Sequence, residues 1–359
     1  MSETQVMIQD SVQRLFAALF TSAELARFER DGPSGAVWQA CAELGLDRAL
    51  LKESQGGIGA APADVFSVAH ACGYYAATTP LADSMVAAGL LQRAGIHVPE
   101  GCIALIDDTG SAQPLAVAVE GGERMVSGTV HKVPWADQAH WGVAAIAQGS
   151  TAEVLLLPLA PRRGDGGAFD TSSAGEPRAS LSFEKVKPSG AGHVACNAGI
   201  NPVRLAGALA RSAQISGALE RALELAVQYA RDRVQFGKPI GNNQAIQHML
   251  ATLAGQAAGA RVAALLAWSG SADSAFDIAV AKARCSDVAG SAAAIVHQVH
   301  GAIGFTREHP LNFYTRRLWS WRSEFGSNAW WSEELGRQAI RAGSAKFWRS
   351  LVERQFPAN

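Results

Sequence analysis

The chain has 359 residues, with 31 Lys and Arg against 32 Asp and Glu and a formal net charge of −1. That balance gives no electrostatic pull toward nucleic acid or an anionic membrane surface. A content of 48% hydrophobic and 18% charged residues excludes a disordered or fibrous chain and suits an ordinary globular protein. The five cysteines, Cys41, Cys72, Cys102, Cys196 and Cys285, are far apart and form no CxxC pair. They are expected as small buried apolar groups in a reducing cytoplasm, with neither a disulfide framework nor a metal site. The polar start "MSETQVMIQD" is no signal-peptide pattern. No apolar run is expected to span a bilayer, and a cytoplasmic location follows as the expectation.

Residues 1–97 read as helical. In "SVQRLFAALF", Val12, Leu15, Phe16 and Leu19 share one face at helical spacing. "AVWQACAELGL" repeats the pattern and stops at Gly45, a helix C-cap residue. "KESQGGIGAAPAD" is a glycine loop, and "PADVFSVAHACGYYA" and "PLADSMVAAGLLQRAG" follow as two further helices, the second opening at Pro80. Near residue 100 the texture changes to short apolar or alternating runs between turn residues. "CIALIDD", "PLAVAVE", "RMVSGTV", "WGVAAIA", "EVLLLPL" and "ASLSFEKV" read as strands, with "PRRGDGGAFDTSSAGEPR" a long polar loop among them. From about residue 202 the pattern is helical again. Ile215, Leu219, Leu223 and Val227 recur every fourth residue, and helices are expected near 243–269, 274–300, 308–322 and 328–355. The expected organisation is an N-terminal α-helical domain (1–97), a middle β domain (98–195) and a C-terminal antiparallel helical bundle (196–359).

One helix-to-helix corner carries more chemistry than a corner needs. "YARDRVQFGKPIGNNQAIQHMLA", from Tyr229 to Ala251, resembles the acyl-CoA dehydrogenase family, in which one helix ends Y-A-x-x-R-x-Q-F-G-x-P-I and the next begins Q-A-x-Q-H-x-L-A. A second block, "QVHGAIGFTREHPLNFYTRR" from Gln298 to Arg317, resembles the family's Q-x-H-G-G-x-G-[FY]-T-x-E-x-P-x-x-R-x-x-R-D. Fainter likenesses run through "VWQACAELGLDRALLKESQGGIG", "VSGTVHKVPWADQAHWGVAAI" and "SLSFEKVKP", in the family's order and over nearly the whole chain. The degenerate pattern is similar to the short homologues of steroid and bile-acid side-chain degradation, which work as heterotetramers of two unlike subunits.

The resemblance implies FAD as cofactor. Its pyrophosphate needs a cation or aligned N–H groups, and Arg233 inherits that role, with Gln235 and Phe236 on the same strip. Gln298, His300 and Gly301 inherit contacts to the ADP half of a flavin shared with a neighbouring subunit, with Gln244 nearby. Trp135, in Val133-Pro134-Trp135, stands where the family has W-[IV]-[TS] beside the flavin ring. Taken singly, each has a plainer explanation. Arg233 could be a helix-end cation, Gln244 and Gln298 solvated positions, Phe236 core, and His300 a packed histidine. Trp319, Trp321, Trp330, Trp331 and Trp348 read most simply as core and subunit-interface packing.

The implied reaction is α,β-dehydrogenation of an acyl-CoA, with electron-transferring flavoprotein as acceptor and a homo-oligomer or a heterotetramer with a paralogous subunit as the assembly. The pattern breaks at the base. Most members carry it as the Glu of Y-E-G-T, and the corresponding segment here is "WRSEFGSNAWW". Phe325 stands at that position and cannot accept a proton, which leaves Glu324, one place earlier, as the candidate catalytic residue. The family's alternative location for the base, early in the first bundle helix, falls on Gly207, flanked by Arg204 and Arg211. The loop T-E-P-x-A-G-S-D over flavin and acyl-CoA is reduced to "LIDDTGSAQ". Three expectations stay open: an active dehydrogenase, a base-lacking subunit that lends flavin-binding surface to a partner, and a flavin monooxygenase-type member of the same fold.

Overall fold

The computed structural model describes residues 3–159, 170–270 and 274–354. Five N-terminal helices, α1 (Glu3–Leu19), α2 (Ser22–Asp31), α3 (Gly35–Glu43), α4 (Pro62–Tyr74) and α5 (Leu81–Arg93), precede the strands. Eight strands follow: β1 (Ile103–Leu105), β2 (Gln113–Glu120), β3 (Glu123–Pro134), β4 (Trp141–Gln148), β5 (Thr151–Pro158), β6 (Asp170–Thr171), β7 (Pro177–Val186) and β8 (Gly190–Ala195). The helix α6 (Pro202–Asp232), a hairpin of β9 (Val234–Gln235) and β10 (Lys238–Pro239), and then α7 (Gln244–Ser269), α8 (Ala275–His300), α9 (Leu311–Trp321), α10 (Asn328–Ala342) and α11 (Ser344–Glu353) complete the chain. The expected order of helices, strands and helices is the observed one. The expected polar loop "PRRGDGGAFDTSSAGEPR" falls in large part on residues 161–169, outside the described residues.

The chain forms two compact units. One comprises Met1–Gly32, Phe66–Ala77 and Arg211–Asn359, and the other Pro33–Val65 and Thr78–Ala210, so the division falls within α6. The second unit holds two four-stranded sheets. One has the order β1-β4-β5-β8, parallel between β1 and β4 and antiparallel elsewhere, and the other is an antiparallel sheet of order β2-β3-β7-β6. Ile106, Leu155 and Leu157 from the first sheet's strands and their flanks share one buried cluster with Val126, Val130 and Phe183 of the other. Alternation along the strands supplies these inward positions. Every residue of α5 from Leu81 to Leu91 is buried. On it the Ser84 hydroxyl donates to the Ile103 carbonyl (3.2 Å) and accepts from the Ile103 N–H (3.0 Å), which satisfies the start of β1 inside the core. The edge strand β8, "GAGHVA", escaped the sequence pattern because its residues are mostly too small to show an apolar face. It pairs antiparallel with β5.

The first unit is a helical bundle. α6, 31 residues and roughly 46 Å long, meets α4 at two glycines. A Cβ on Gly217 would overlap the carbonyl oxygen of His70, and one on Gly73 would overlap the carbonyl oxygen of Gln214. Only glycine lets the two backbones approach so closely. α8 packs on α7, α9 and α10, with Val288, Ala292 and Val296 fully or almost fully buried. The last expected helix, 328–355, is two helices separated at Gly343, whose φ of 73° ends α10. Among the described residues α7 is long and apolar enough to cross a bilayer by length and composition alone, and one such helix does not show a membrane span. A core helix of a soluble protein passes the same test.

Candidate functional site

At the end of α6 the chain turns through the hairpin rather than a simple corner. Lys238 pairs with Gln235 and Pro239 with Val234, so Phe236 and Gly237 form a two-residue turn with φ of 52° and 79°. A turn with both central φ positive matches strand twist, and Gly237 takes it without cost. Phe236 does not. A non-glycine residue in the left-handed region costs about 1–2 kcal/mol, and the Phe236 ring is fully exposed, so no packing within the chain offsets it. The Ile240 N–H donates to the Arg233 carbonyl (2.8 Å), and Asn243 caps α7 by accepting from the Ala245 N–H (3.0 Å). Gln244, the first residue of α7, is exposed. Among the described residues none bonds the side chains of Arg233, Gln235, Gln244 or Gln298. These donors are therefore open to a bound group.

The end of α8 lies against the end of α6. His300 is buried, its Nδ1 donates to the Val296 carbonyl (2.7 Å), and its ring stacks on Tyr229 with centroids 4.6 Å apart. His309 meets it edge-on at 4.7 Å. The two sequence blocks are thus joined through Tyr229, four residues before Arg233. Burial pushes the imidazoles of His297, His300 and His309 below their ordinary range, and the charge on His300 adds to this at His297 and His309. Gly301 ends α8 at φ 64°, and a Cβ there would meet open space. Gln298 and Gly301 line a cleft of about 560 Å³ with His297, Ala302, Phe305 and Trp319. His297 stacks on Phe305 at 4.1 Å. The sequence had singled out neither His297 nor Phe305. Arg233, Gln235, Phe236 and Gln244 do not line this cleft.

Glu324 lies in the corner between α9 and α10, and both carboxylate oxygens are engaged. Arg211 Nε donates to one at 2.7 Å, and the Ser320 hydroxyl donates to the other at 2.8 Å. The Arg211 side chain is 1% exposed and that of Glu324 15%. Arg211 also donates to Gln214 (2.6 Å) and lies 5.3 Å from the centroid of the Phe325 ring. The other arginine beside Gly207 is likewise paired, within the second unit. Arg204 Nε donates to Asp107 at 2.9 Å and Nη2 to the Thr109 carbonyl at 3.4 Å. This bond fixes the "LIDDTGSAQ" turn, in which Asp108 accepts from the Leu115 N–H. Both pairings were invisible in the sequence, since their partners lie 97 and 113 residues away.

Trp135, at the end of β3, is 3% exposed with φ 57°, a strained conformation for so bulky a residue. Its N–H donates to the Pro177 carbonyl (3.1 Å). Of the five tryptophans near the chain end, Trp321 and Trp331 are buried, while Trp319 and Trp348 are 49% and 73% exposed. All five cysteines are buried free thiols. Among the described residues no cluster of His, Cys, Asp and Glu is placed to hold a metal.

Residues 201–340 match the family described as acyl-CoA dehydrogenase, C-terminal domain. The chain is 41% identical over 110 residues to acyl-CoA dehydrogenase IpdE2 of Mycobacterium tuberculosis, a match covering 31% of this chain and 34% of that protein. It is 27% identical over 328 residues to acyl-CoA dehydrogenase IpdE2 of Mycolicibacterium smegmatis, covering 88% of this chain and 93% of that one. The stronger match thus spans about a third of its relative, and the longer one nearly all of it. Among solved structures, the ChsE4-ChsE5 complex of Mycobacterium tuberculosis contains a chain that superposes with a TM-score of 0.82 at 21% identity, covering 96% of this chain and 99% of that one. At that identity the likeness is one of fold. Over residues 201–340 the chain matches the acyl-CoA dehydrogenase C-terminal domain, and as a whole it shares the fold of acyl-CoA dehydrogenases.

Proposed function

We propose that the protein acts in the FAD-dependent α,β-dehydrogenation of an acyl-CoA thioester. The observation that carries this reading is the set of donors left open at the ends of α6 and α8. The Arg233 guanidinium and the amides of Gln235, Gln244 and Gln298 have no partner among the described residues. Phe236 is held out in a costly conformation beside them. These groups suit an anionic dinucleotide shared between two subunits, with Arg233 of one subunit on the pyrophosphate, Gln235 and Phe236 along it, and Gln298 and the Gly301 backbone of the neighbouring subunit toward the ADP half. His300 ties the end of α8 to the end of α6 through its stack on Tyr229. Held by these residues, FAD would supply a hydride acceptor for the β-hydrogen, with electron-transferring flavoprotein as the proposed onward acceptor. A cytoplasmic location goes with this reading.

A second reading is favoured by the state of Glu324. A general base needs a free lone pair and an unsatisfied carboxylate. Glu324 has an arginine on one oxygen and a hydroxyl on the other, so neither oxygen stands free to take a proton from a substrate. On this reading the chain is the base-lacking subunit of a heteromeric dehydrogenase, lending flavin-binding surface to a paralogous subunit that carries the carboxylate. The exposed apolar side chains of Phe305, Ile340, Trp348 and Val352 in the helical unit support assembly into a homo-oligomer or such a heterotetramer. The two readings separate by anaerobic addition of acyl-CoA thioesters to flavin-loaded protein. Bleaching of the chain alone establishes the first. Bleaching only when a paralogous subunit is co-expressed establishes the second. No bleaching in either preparation removes both.

A further inference from the structure

Lys282 lies in the middle of α8 and is completely buried. Its ammonium lies within hydrogen-bond distance of four acceptors, the Ser286 hydroxyl (2.8 Å) and the carbonyls of Trp321 (3.3 Å), Arg322 (3.1 Å) and Gly326 (2.9 Å), among which its three N–H groups are shared. The Trp321 and Arg322 carbonyls end α9, where a helix runs out of its own donors. A cation there also meets the negative end of the helix dipole. Lys282 therefore caps α9 from a neighbouring helix, and its bond to Gly326 reaches across to the far side of the corner.

The corner so held contains Glu324 and Phe325, and it is strained. Phe325 and Gly326 take successive positive φ values of 53° and 98°. The Trp331 indole N–H donates to the Phe325 carbonyl (3.0 Å) from a fully buried ring. Arg211 lies against the Phe325 ring and pairs with Glu324. Joining α9 to α10 requires neither a left-handed phenylalanine nor a buried ammonium. Strain of this kind persists only where the surroundings over-determine it, and here Lys282, Trp331 and Arg211 hold the corner from three sides.

We propose that Lys282 is the positioning residue of the α9–α10 corner, fixing where Phe325 and the Arg211–Glu324 pair stand. The corner's functional meaning rests on the proposed activity, because this is the segment aligned with the family's base. Its mechanical meaning does not.

The test compares Lys282→Met and Lys282→Arg with the parent in the full-length, assembled protein. Hydrogen exchange is read on peptides covering residues 318–331. Lys282→Met is expected to speed exchange in this segment at least ~10-fold, the effect of losing about 1.4 kcal/mol of local protection, with α1 and the two sheets unchanged. Lys282→Arg, which keeps charge and donors, is expected to recover part of the protection. Exchange that stays at the parent rate in the corner, or that rises equally throughout the chain, overturns the proposal. If Lys282→Met does not fold, Phe325→Gly is made in the parent and in Lys282→Arg. Because glycine accepts the left-handed backbone, its cost in Tm is expected to be smaller in the Arg background, and equal costs in both overturn the proposal. In the assembled, flavin-loaded enzyme a change in acyl-CoA KM with kcat retained is expected for Lys282→Arg. The exchange result needs no flavin, so a failed activity and a failed positioning role give different outcomes.

Discussion

Glu324 is the acidic residue nearest the place where the family carries its base, and its charge is already committed to Arg211 and Ser320. Removing one partner of a buried ion pair leaves the other charge without compensation, which commonly costs about 3 kcal/mol or more. Glu324→Ala is therefore expected to lower stability by about 3 kcal/mol in a denaturant titration. Fully retained stability would mean that Arg211 does not depend on it. The opposite case is Arg233, exposed and unpartnered among the described residues. Arg233→Ala is expected to leave thermal stability within about 0.5 kcal/mol of the parent. It should weaken FAD binding by roughly 10- to 100-fold, the scale of a charge-assisted hydrogen bond, as read by flavin-fluorescence titration. Neither contrast could be drawn from the sequence. A motif names a residue type at a spacing, whereas pairing depends on which distant side chain the fold brings up. Lys282 was missed for the same reason, since "AVAKARC" gives no sign that its lysine faces inward.

The elements themselves were largely legible. Helical periodicity predicted 243–269 and 274–300, and α7 and α8 run Gln244–Ser269 and Ala275–His300. All six predicted strands are present. The misses are elements whose pattern is too short or too plain to register. β9 and β10 have two residues each, β8 is mostly small residues, and the break at Gly343 depends on one positive φ. The close crossing of α4 and α6 was likewise hidden, because a glycine inside a helical pattern does not announce what lies against it. Gly217→Ala would press a methyl group into the His70 carbonyl. It is expected to cost about 3 kcal/mol, the upper end for overpacking, or to prevent folding. A melt unchanged from the parent would show that the helices can move apart.

At the scale of the whole molecule, pH dependence follows from the buried histidines. His297, His300 and His309 each titrate below the ordinary value of 6.5 in the folded chain. The unfolded chain therefore binds protons first as pH falls, so stability rises with pH across this window. Their contribution is complete above about pH 6.5 and is lost as pH drops through the folded values. Tm should decline below that point, and His300→Phe should flatten the decline. Glu220 acts in the same direction at lower pH, because its hydrogen bond with His70 holds its carboxyl below the ordinary 4.5. That contribution is lost only in stronger acid.

The flavin claim is tested most directly by the absorption spectrum of the purified protein taken together with its native mass, for the chain alone and for the chain co-expressed with a paralogous subunit. The expected result is an oligomer with a flavin band near the visible blue in at least one preparation, lost or weakened by Arg233→Ala. A colourless monomer in both preparations, with no affinity for added FAD, would contradict it.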